Sequence, residues 1–344
     1  MNPSRLNTLI AAITRARVGI VGDFCVDSYH IIDMAASEPS LETGIATHPV
    51  REQRHTLGGA GNVTANLHAM GVRSLSAFAV IGPDMIGAGL TRLLASLGVN
   101  ARGVICQPRN WQTHSYLKPI VNGSETNRCD FGVFNKVSPA TTRALLAALD
   151  AAMSRLDALI INQQFGNGLH SPAFQSALEA LLKKHRNVTA LADCRNLRDA
   201  YPSAIRKLND HEAARLCGLA RGPREPVPRA IALAAGARLH AARKLPVFIT
   251  RGCDGCLVVD KSGAHEIPAV RITGPVDPVG AGDSMVAAIA ACLAVGATPS
   301  EAAAFGNLVA GVTVQKLRQT GTASPAEIRA IAKSSARASR VAPA

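Results

Sequence analysis

At 344 residues, with 47% hydrophobic and 18% charged positions, the chain has the composition of a soluble globular protein able to bury one large core or two modest ones. The net charge is +13, but Lys and Arg are scattered without a basic arm, and aromatics at 3% leave few platforms for stacking bases, which speaks against nucleic acid as a partner. No apolar run reaches the ~20 residues of a membrane span, the Leu6–Ile13 run precedes Arg15 and Arg17 in the wrong charge order for a secretory leader, and the eight dispersed cysteines read as reduced thiols of a cytoplasmic protein.

In chain order, residues 4–16 carry an amphipathic helical pattern, and Val18–Val21 reads as a short buried strand ending in Gly22-Asp23. Ligands gather at the carboxyl ends of strands in open α/β sheets, so Asp23 is a candidate to accept hydrogen bonds from a ligand's hydroxyls, with Asp27 four residues on. A turn or cap carboxylate is the plain alternative for either. Residues 28–57 break the α/β rhythm and predict short strands standing off the main sheet. Alternation of the same kind returns over 101–133, and the two segments together predict a small β-lid. Gly58-Gly59-Ala60-Gly61-Asn62 enters a helical pattern over Val63–Met70. Its glycines would let backbone approach a ligand, and the Asn62 amide offers both a donor and an acceptor.

Strands follow at Ser74–Ile81, Ala158–Asn162, Thr189–Ala192 and Val247–Thr250, with helices over 88–97, 138–156 and 171–185 between the first three. Shorter strands are expected at Leu257–Asp260 and 264–272. This alternation predicts an α/β fold, a mostly parallel sheet with helices on both faces, over residues 1–333. Asn162 and Asp193 fall at strand ends beside Asp23. A helix over 299–315 follows, and the Ala/Ser/Arg/Pro tail 334–344 is expected to fray. Cys253-Asp254-Gly255-Cys256 has no second cysteine pair or histidine pair to complete a metal site, and its Gly-x-x-Gly frame suits a turn.

The most informative stretch is Asp277-Pro278-Val279-Gly280-Ala281-Gly282-Asp283-Ser284. Met285–Val295 beyond it is apolar on every face, the pattern of a buried helix, and Gly296 is placed to stop it. Small residues at a helix N-terminus leave amides uncovered, and those amides with the helix dipole form an anion site. A carboxylate at the same spot would repel a bound phosphate. It serves a purpose if Asp283 takes a proton from a hydroxyl attacking phosphorus while the amides hold the developing charge. An isolated Gly-Ala-Gly-Asp would read only as a capped turn.

Asp277-Pro278, Gly280–Asp283 and the small Ala287-Ala288 resemble the C-terminal signature of the ribokinase-like (PfkB) carbohydrate kinases. Gly58–Asn62 resembles that family's N-terminal Gly-Gly-x-x-Asn motif, and the likeness runs from about residue 18 to 330. It implies a three-layer, doubly wound, mostly parallel sheet with a β-lid, and ATP- and Mg2+-dependent phosphorylation of a sugar or sugar phosphate. Asp283 would be the base, kept ionised by the helix N-terminus, with the Gly280, Ala281 and Gly282 amides beside it. Asp23, Asp27, Gly58, Gly59 and Asn62 would grip the sugar. Asp193 and the Thr250-Arg251-Gly252-x-x-Gly255 turn would lie along the nucleotide, Asn307 would line the adenine pocket, and Asp277 would help hold a monovalent cation such as K+. In the heptose-phosphate subgroup, lid cations at the positions of Lys118 and Arg128 meet the substrate's own phosphate; here they read equally as exposed strand charges. The lid's open edge suggests a homodimer.

Two segments depart from the family pattern. Its Asn-x-x-Glu motif, which orients Mg2+ through water, aligns with Lys207-Leu208-Asn209-Asp210, so that Asp210 stands for Glu and a cation for Asn. Lys207 could itself neutralise phosphate charge, and Asn209 or Glu212 could take the motif's place. Asn162-Gln163-Gln164-Phe165-Gly166 stands where heptose kinases carry a Ser-Asp-Tyr-like turn. These changes keep a second reading open, a sugar- or nucleotide-binding regulator with weakened transfer. The chain lacks a P-loop, a Gly-x-Gly-x-x-Gly after the first strand and a His-x-Gly-His of nucleotidyltransferases. Nothing in the residues names the sugar or the hydroxyl attacked.

Overall fold

Short β-rich runs alternating with amphipathic ones build a layered α/β unit in the computed structural model, which describes residues 1–341 apart from 198–199, 223–224 and 318. Helix α1 (Pro3–Ile13) leads into strand β1 (Arg17–Gly22), and the chain then passes without a helix into β2 (Phe24–Ile32) and β3 (Val50–Gly59). There follow α2 (Ala60–Ala69), β4 (Ser74–Ile81), α3 (Met85–Ser96), β5 (Asn100–Cys106), β6 (Ser115–Val121), β7 (Ser124–Glu125) and β8 (Cys129–Phe131). Next come α4 (Pro139–Met153), β9 (Ala158–Gln163), α5 (Pro172–Lys184), β10 (Thr189–Cys194), β11 (Ile205–Asn209), α6 (Asp210–Leu216) and α7 (Arg229–Arg243). The chain ends through β12 (Val247–Thr250), β13 (Cys256–Asp260), β14 (Gly263–Ile267), α8 (Ala281–Ala294), α9 (Pro299–Thr313) and α10 (Pro325–Val341).

Among the described residues the large sheet has nine strands in the order β14-β13-β12-β11-β10-β9-β1-β4-β5. All pairs from β12 to β5 are parallel, and β13 and β14 add an antiparallel edge. Alternate side chains of each strand enter opposite cores. In β9, Ala158 and Ile160 pack with α1, α2, α8 and α9, while Leu159 and Ile161 pack with α4 and α5. Ser284 to Cys292 of α8 are all buried, because this helix is enclosed between the sheet and its neighbouring helices. Gly296, with φ 79°, follows the end of α8 as the apolar pattern requires.

A second sheet, β3-β2-β6-β7 with β8 also on β6, forms the lid. Its membership corrects two expectations. The first lid segment begins at Phe24 rather than residue 28, because β2 continues directly from the Gly22-Asp23 bend. Residues 100–106 are not lid at all: β5 pairs in parallel with β4 (Phe78↔Gly103) as the last strand of the large sheet. A half-exposed edge strand has the same alternation as a lid strand, so the pattern could not separate them. Helix α10 runs to Val341, so helix continues past Ser334, where fraying was expected; residues 342–344 lie outside the described residues.

Candidate active site

Gly280 caps α8 in the left-handed conformation (φ 78°). A Cβ there would lie 2.5 Å from Thr320 Cγ2 and 3.0 Å from Asn62 Nδ2, so only glycine brings the loop into α8 against α2. No side chain caps the helix. The Ala281 amide donates to the Pro278 carbonyl (3.1 Å) and is spent there, which corrects its expected place among the anion-holding amides. The first-turn amides of Gly282 and Asp283 remain for that role.

Asn62 Nδ2 donates to Asp283 Oδ2 at 2.7 Å, joining the two sequence motifs across 221 positions. Asn66 donates in turn to Asn62 Oδ1 (3.2 Å) and fixes that amide's orientation. Burial pushes the half-buried Asp283 carboxyl up to about 6, aided by the negative charge of Asp193; the Asn62 hydrogen bond, Lys207 and Arg195 pull the other way. An acid at about 6 is still mostly ionised at neutral pH, as expected from the sequence, although burial lifts it above the ordinary carboxylate range. A carboxyl in that range can exchange a proton near neutral pH.

Below Asp283 lies a row of polar groups on adjacent strands. Asp193 of β10 is the register partner of Asn162 on β9, and Lys207 Nζ of β11 reaches Asp193 Oδ1 at 3.2 Å. Asn162, Asp193 and Lys207 are 0%, 8% and 5% exposed. Burial lowers the Lys207 ammonium, but Asp193, Glu212 and Asp283 carry it above the ordinary lysine value. Asp210, expected to hold Mg2+ through water, opens α6 and accepts its neighbour's amide from His211. Asn209 and Glu212 instead form a reciprocal capping box: Asn209 Oδ1 accepts from the Glu212 amide (2.7 Å) and Glu212 Oε2 from the Asn209 amide (2.8 Å). Asn209-Asp210-His211-Glu212 is itself an Asn-x-x-Glu spacing, two residues beyond the alignment drawn from sequence. Burial raises the Glu212 carboxyl, and it lines a pocket of about 240 Å3 with Arg195, Asn196 and Arg215.

Near the lid, Asp23 departs from its expected role. Its carboxylate accepts the backbone amides of Gln164 (2.8 Å), Phe165 (2.9 Å) and Leu169 (3.2 Å), and the residue is 3% exposed. It pins the loop after β9 instead of presenting its oxygens to a ligand. Gly58 and Gly59 also serve the chain itself: a Cβ would lie 2.6 Å from Cys25 Sγ at the first and 2.4 Å from the Asp23 carbonyl at the second. Asp27 is ion-paired to Lys118 (2.9 Å). Lys118 and Arg128 do come together, lining a pocket of about 550 Å3 under the lid with Tyr29, Arg54, Asp277 and Val279. Arg128 holds Asp130 (2.5 Å) and lies over the Tyr116 ring (4.1 Å). Asp277 accepts the Val279 amide (3.0 Å) and lines this same pocket.

Thr250, Gly252, Gly255 and Asn307 line neither pocket. Asn307 Nδ2 donates to the Ile267 and Pro268 carbonyls (3.0 and 2.9 Å), so its amide nitrogen ties α9 to the end of β14. Cys253 is exposed in the turn between β12 and β13, and Cys256 is buried at the start of β13.

A family model described as pfkB family carbohydrate kinase matches residues 24–327. The chain belongs to that family. The Asn62–Asp283 contact brings together the two stretches that carry the resemblance to it. Relatives named Bifunctional protein HldE are 26% identical over 322 residues in Wolinella succinogenes and 29% over 329 in Rhodospirillum rubrum. These alignments cover 93% and 94% of this chain, but only 65% and 63% of the relatives, so the chain spans less than two thirds of their length. Among solved structures, Arabidopsis thaliana ribokinase complexed with ribose and ATP superposes with a TM-score of 0.69 at 18% identity, covering 93% of this chain and 99% of that one. Escherichia coli phosphofructokinase-2 in complex with potassium gives 0.72 at 20%, covering 94% and 100%. The fold is therefore that of the ribokinase-like kinases. Arg195 was missed as a pocket residue, and Glu212 was named only as an alternative to Asp210. An Arg two positions past the β10 carboxylate, and the spacing Asn209–Glu212, were the signals available.

Proposed function

We propose that the chain transfers the γ-phosphoryl group of ATP to a hydroxyl of a phosphorylated sugar, a heptose phosphate being the acceptor class its lid suits. The observation that carries this is the Asp283 carboxylate, held by Asn62 at the mouth of α8 and raised to about 6. Asp283 accepts the proton of the attacking hydroxyl, and the Gly282 and Asp283 amides stabilise charge on the transferred group. A binder that had lost transfer would have no use for a buried acid with a raised proton affinity at an anion site, which favours the enzyme over the regulator.

Support for a phosphorylated acceptor comes from Lys118, Arg128 and Arg54 sharing the lid pocket that extends to Val279. Each already faces a carboxylate, Asp27, Asp130 and Glu52 respectively, so an incoming phosphate would exchange with those partners. Mg2+ suits Glu212, since this ion keeps several waters and binds through one or two carboxylates with the substrate's phosphates. It would supply charge neutralisation on ATP. Asp277 fits a role near a monovalent cation, as a carboxylate beside the loop that sets Gly280. The lid edge at β3, where Val50–Thr56 are exposed, favours a homodimer.

The test is ADP release over a panel of heptose, hexose and pentose phosphates and the corresponding free sugars. Turnover is expected with a phosphorylated sugar, and Lys118→Met or Arg128→Met should raise its KM at least tenfold with little change in the KM for ATP. Turnover only with free sugars, or variants that leave KM unchanged, would contradict the phosphate assignment.

A further inference from the structure

The row beneath Asp283 contains one group that neither the fold nor the base requires. Lys207 is a strand residue whose same-face neighbour Ile205 and register partner Phe248 are apolar. A buried ion pair in such a place is commonly no better for stability than a pair of apolar side chains. Asp193 is its only hydrogen-bond partner among the described residues, which leaves two of three ammonium donors uncommitted. A Cβ placed on Gly282 would lie 3.1 Å from Lys207 Nζ, so the ammonium sits against the first turn of α8, where the free amides are. Asn162, on the same row and fully buried, has no partner for either atom of its side-chain amide. Polar groups enclosed without partners mark a place where a polar species is bound.

We propose that Lys207 is a phosphoryl-binding cation built into the strand floor, donating to the oxygens of the transferring group, with Asp193 as the partner it exchanges for them. This rests on the kinase reading above. In the step it serves, the acceptor oxygen forms a bond to the γ-phosphorus as the bond to the β,γ-bridging oxygen breaks. ADP leaves with that electron pair, and the acceptor's proton passes to Asp283. Lys207 neither gains nor loses a proton; it holds the negative charge of the moving group, as fixed cations do in phosphoryl transfer. Its long flexible stem lets it change partner from Asp193 to phosphoryl oxygen without movement of β11.

The test needs no knowledge of the acceptor. Binding of Mg2+·ADP is compared with and without aluminium fluoride, which stands in for the phosphoryl group. In wild type the fluoride should tighten ADP binding roughly 10²-fold or more. The neutral pair Lys207→Met/Asp193→Asn avoids leaving either charge buried alone, and should bind Mg2+·ADP within threefold of wild type while losing most of that tightening. Lys207→Gln/Asp193→Asn provides a second neutral version should the first not fold. Asp193→Asn alone keeps the lysine and should keep the tightening. A double variant that tightens as wild type does, or Asp193→Asn losing the effect equally, overturns the role of Lys207 and leaves the kinase reading intact. A wild type that binds no ADP overturns both. The pH profile gives an independent readout: around Asp283 lie Asn62, Cys25, Asp193, Lys207 and Arg195. Removing the positive charge alone (Lys207→Met) should move the acid limb of kcat/KM to higher pH, and Asp193→Asn should move it lower; a limb unmoved in both would place the pair out of reach of the reacting groups and overturn the role.

Discussion

A carboxylate held above its ordinary proton affinity makes its own stability signature. Asp283 binds protons more readily folded (about 6) than unfolded (3.8), so folding is favoured by its protonation. The penalty is fully present above pH 6, shrinks as pH falls, and vanishes below about 4, since the folded state binds more protons in that window. A shift of this size corresponds to about 3 kcal/mol. Asp283→Asn should therefore unfold at higher denaturant than wild type at pH 7.5, with the advantage gone near pH 4. A constant difference across that range would argue against an enclosed acid. Asn62→Ala removes a hydrogen bond that favours the ionised form, so the acid limb of kcat/KM should rise from near pH 6. An unmoved limb would separate Asn62 from the base. Asp23 makes the opposite case: a carboxylate taking three backbone amides contributes about 1.5–3 kcal/mol per charged hydrogen bond, less relaxation. Asp23→Asn should lower stability by roughly 2–3 kcal/mol, whereas a residue that only contacts ligand would leave stability nearly unchanged.

Among the elements, α8 does most to place the chemistry. Its apolar run and the Gly280–Asp283 lead-in were legible from sequence because full burial and a small-residue N-terminus each leave a direct mark on composition. The Asn62 partner was legible too, through the glycines before α2. What escaped was anything decided by contact across strands. Lys207 is buried because Asp193 lies beside it on β10, and no spacing within β11 announces that. Asp210 was favoured over Glu212 since local alignment cannot see which carboxylate closes a capping box and which faces a pocket. Residues 205–243 yielded no elements: β11 carries two charged residues, and α7 has Gly236 at its centre and arginines at both ends. Gly280→Ala tests the α8 lead-in at its tightest point. The positive φ and the approach of Thr320 should shift the helix N-terminus, with turnover falling tenfold or more and ADP affinity weakened. An alanine variant with wild-type kinetics would show that the loop has slack this account denies it.

At the scale of the molecule, the described residues form two sheets, with one pocket beside the large sheet and another under the lid. The nine-stranded sheet carries Asp193 and Lys207, α8 adds Asp283, α6 adds Glu212 to the pocket at Arg195, and the lid supplies Lys118, Arg128 and Arg54. The loop after β9 joins the two sheets: Asp23 pins it from the large sheet, and the Phe165 ring stacks on His114 (4.1 Å) and meets Tyr116 edge-on (5.7 Å) from the lid side. That division explains why the α/β rhythm was easy to read and the lid borders were not, since an edge strand and a lid strand are half-exposed alike. Sedimentation should give twice the 35.8 kDa chain mass if the β3 edge is covered by a second copy, and a monomer would leave that edge without a partner. The most direct test of the account is single-turnover transfer of labelled γ-phosphoryl from Mg2+·ATP to the acceptor found in the panel, compared between wild type and Asp283→Asn. The account predicts that the variant binds ATP within about threefold of wild type while transfer falls roughly 10²- to 10⁴-fold, the span of a lost general base. Transfer within a few-fold of wild type would contradict it.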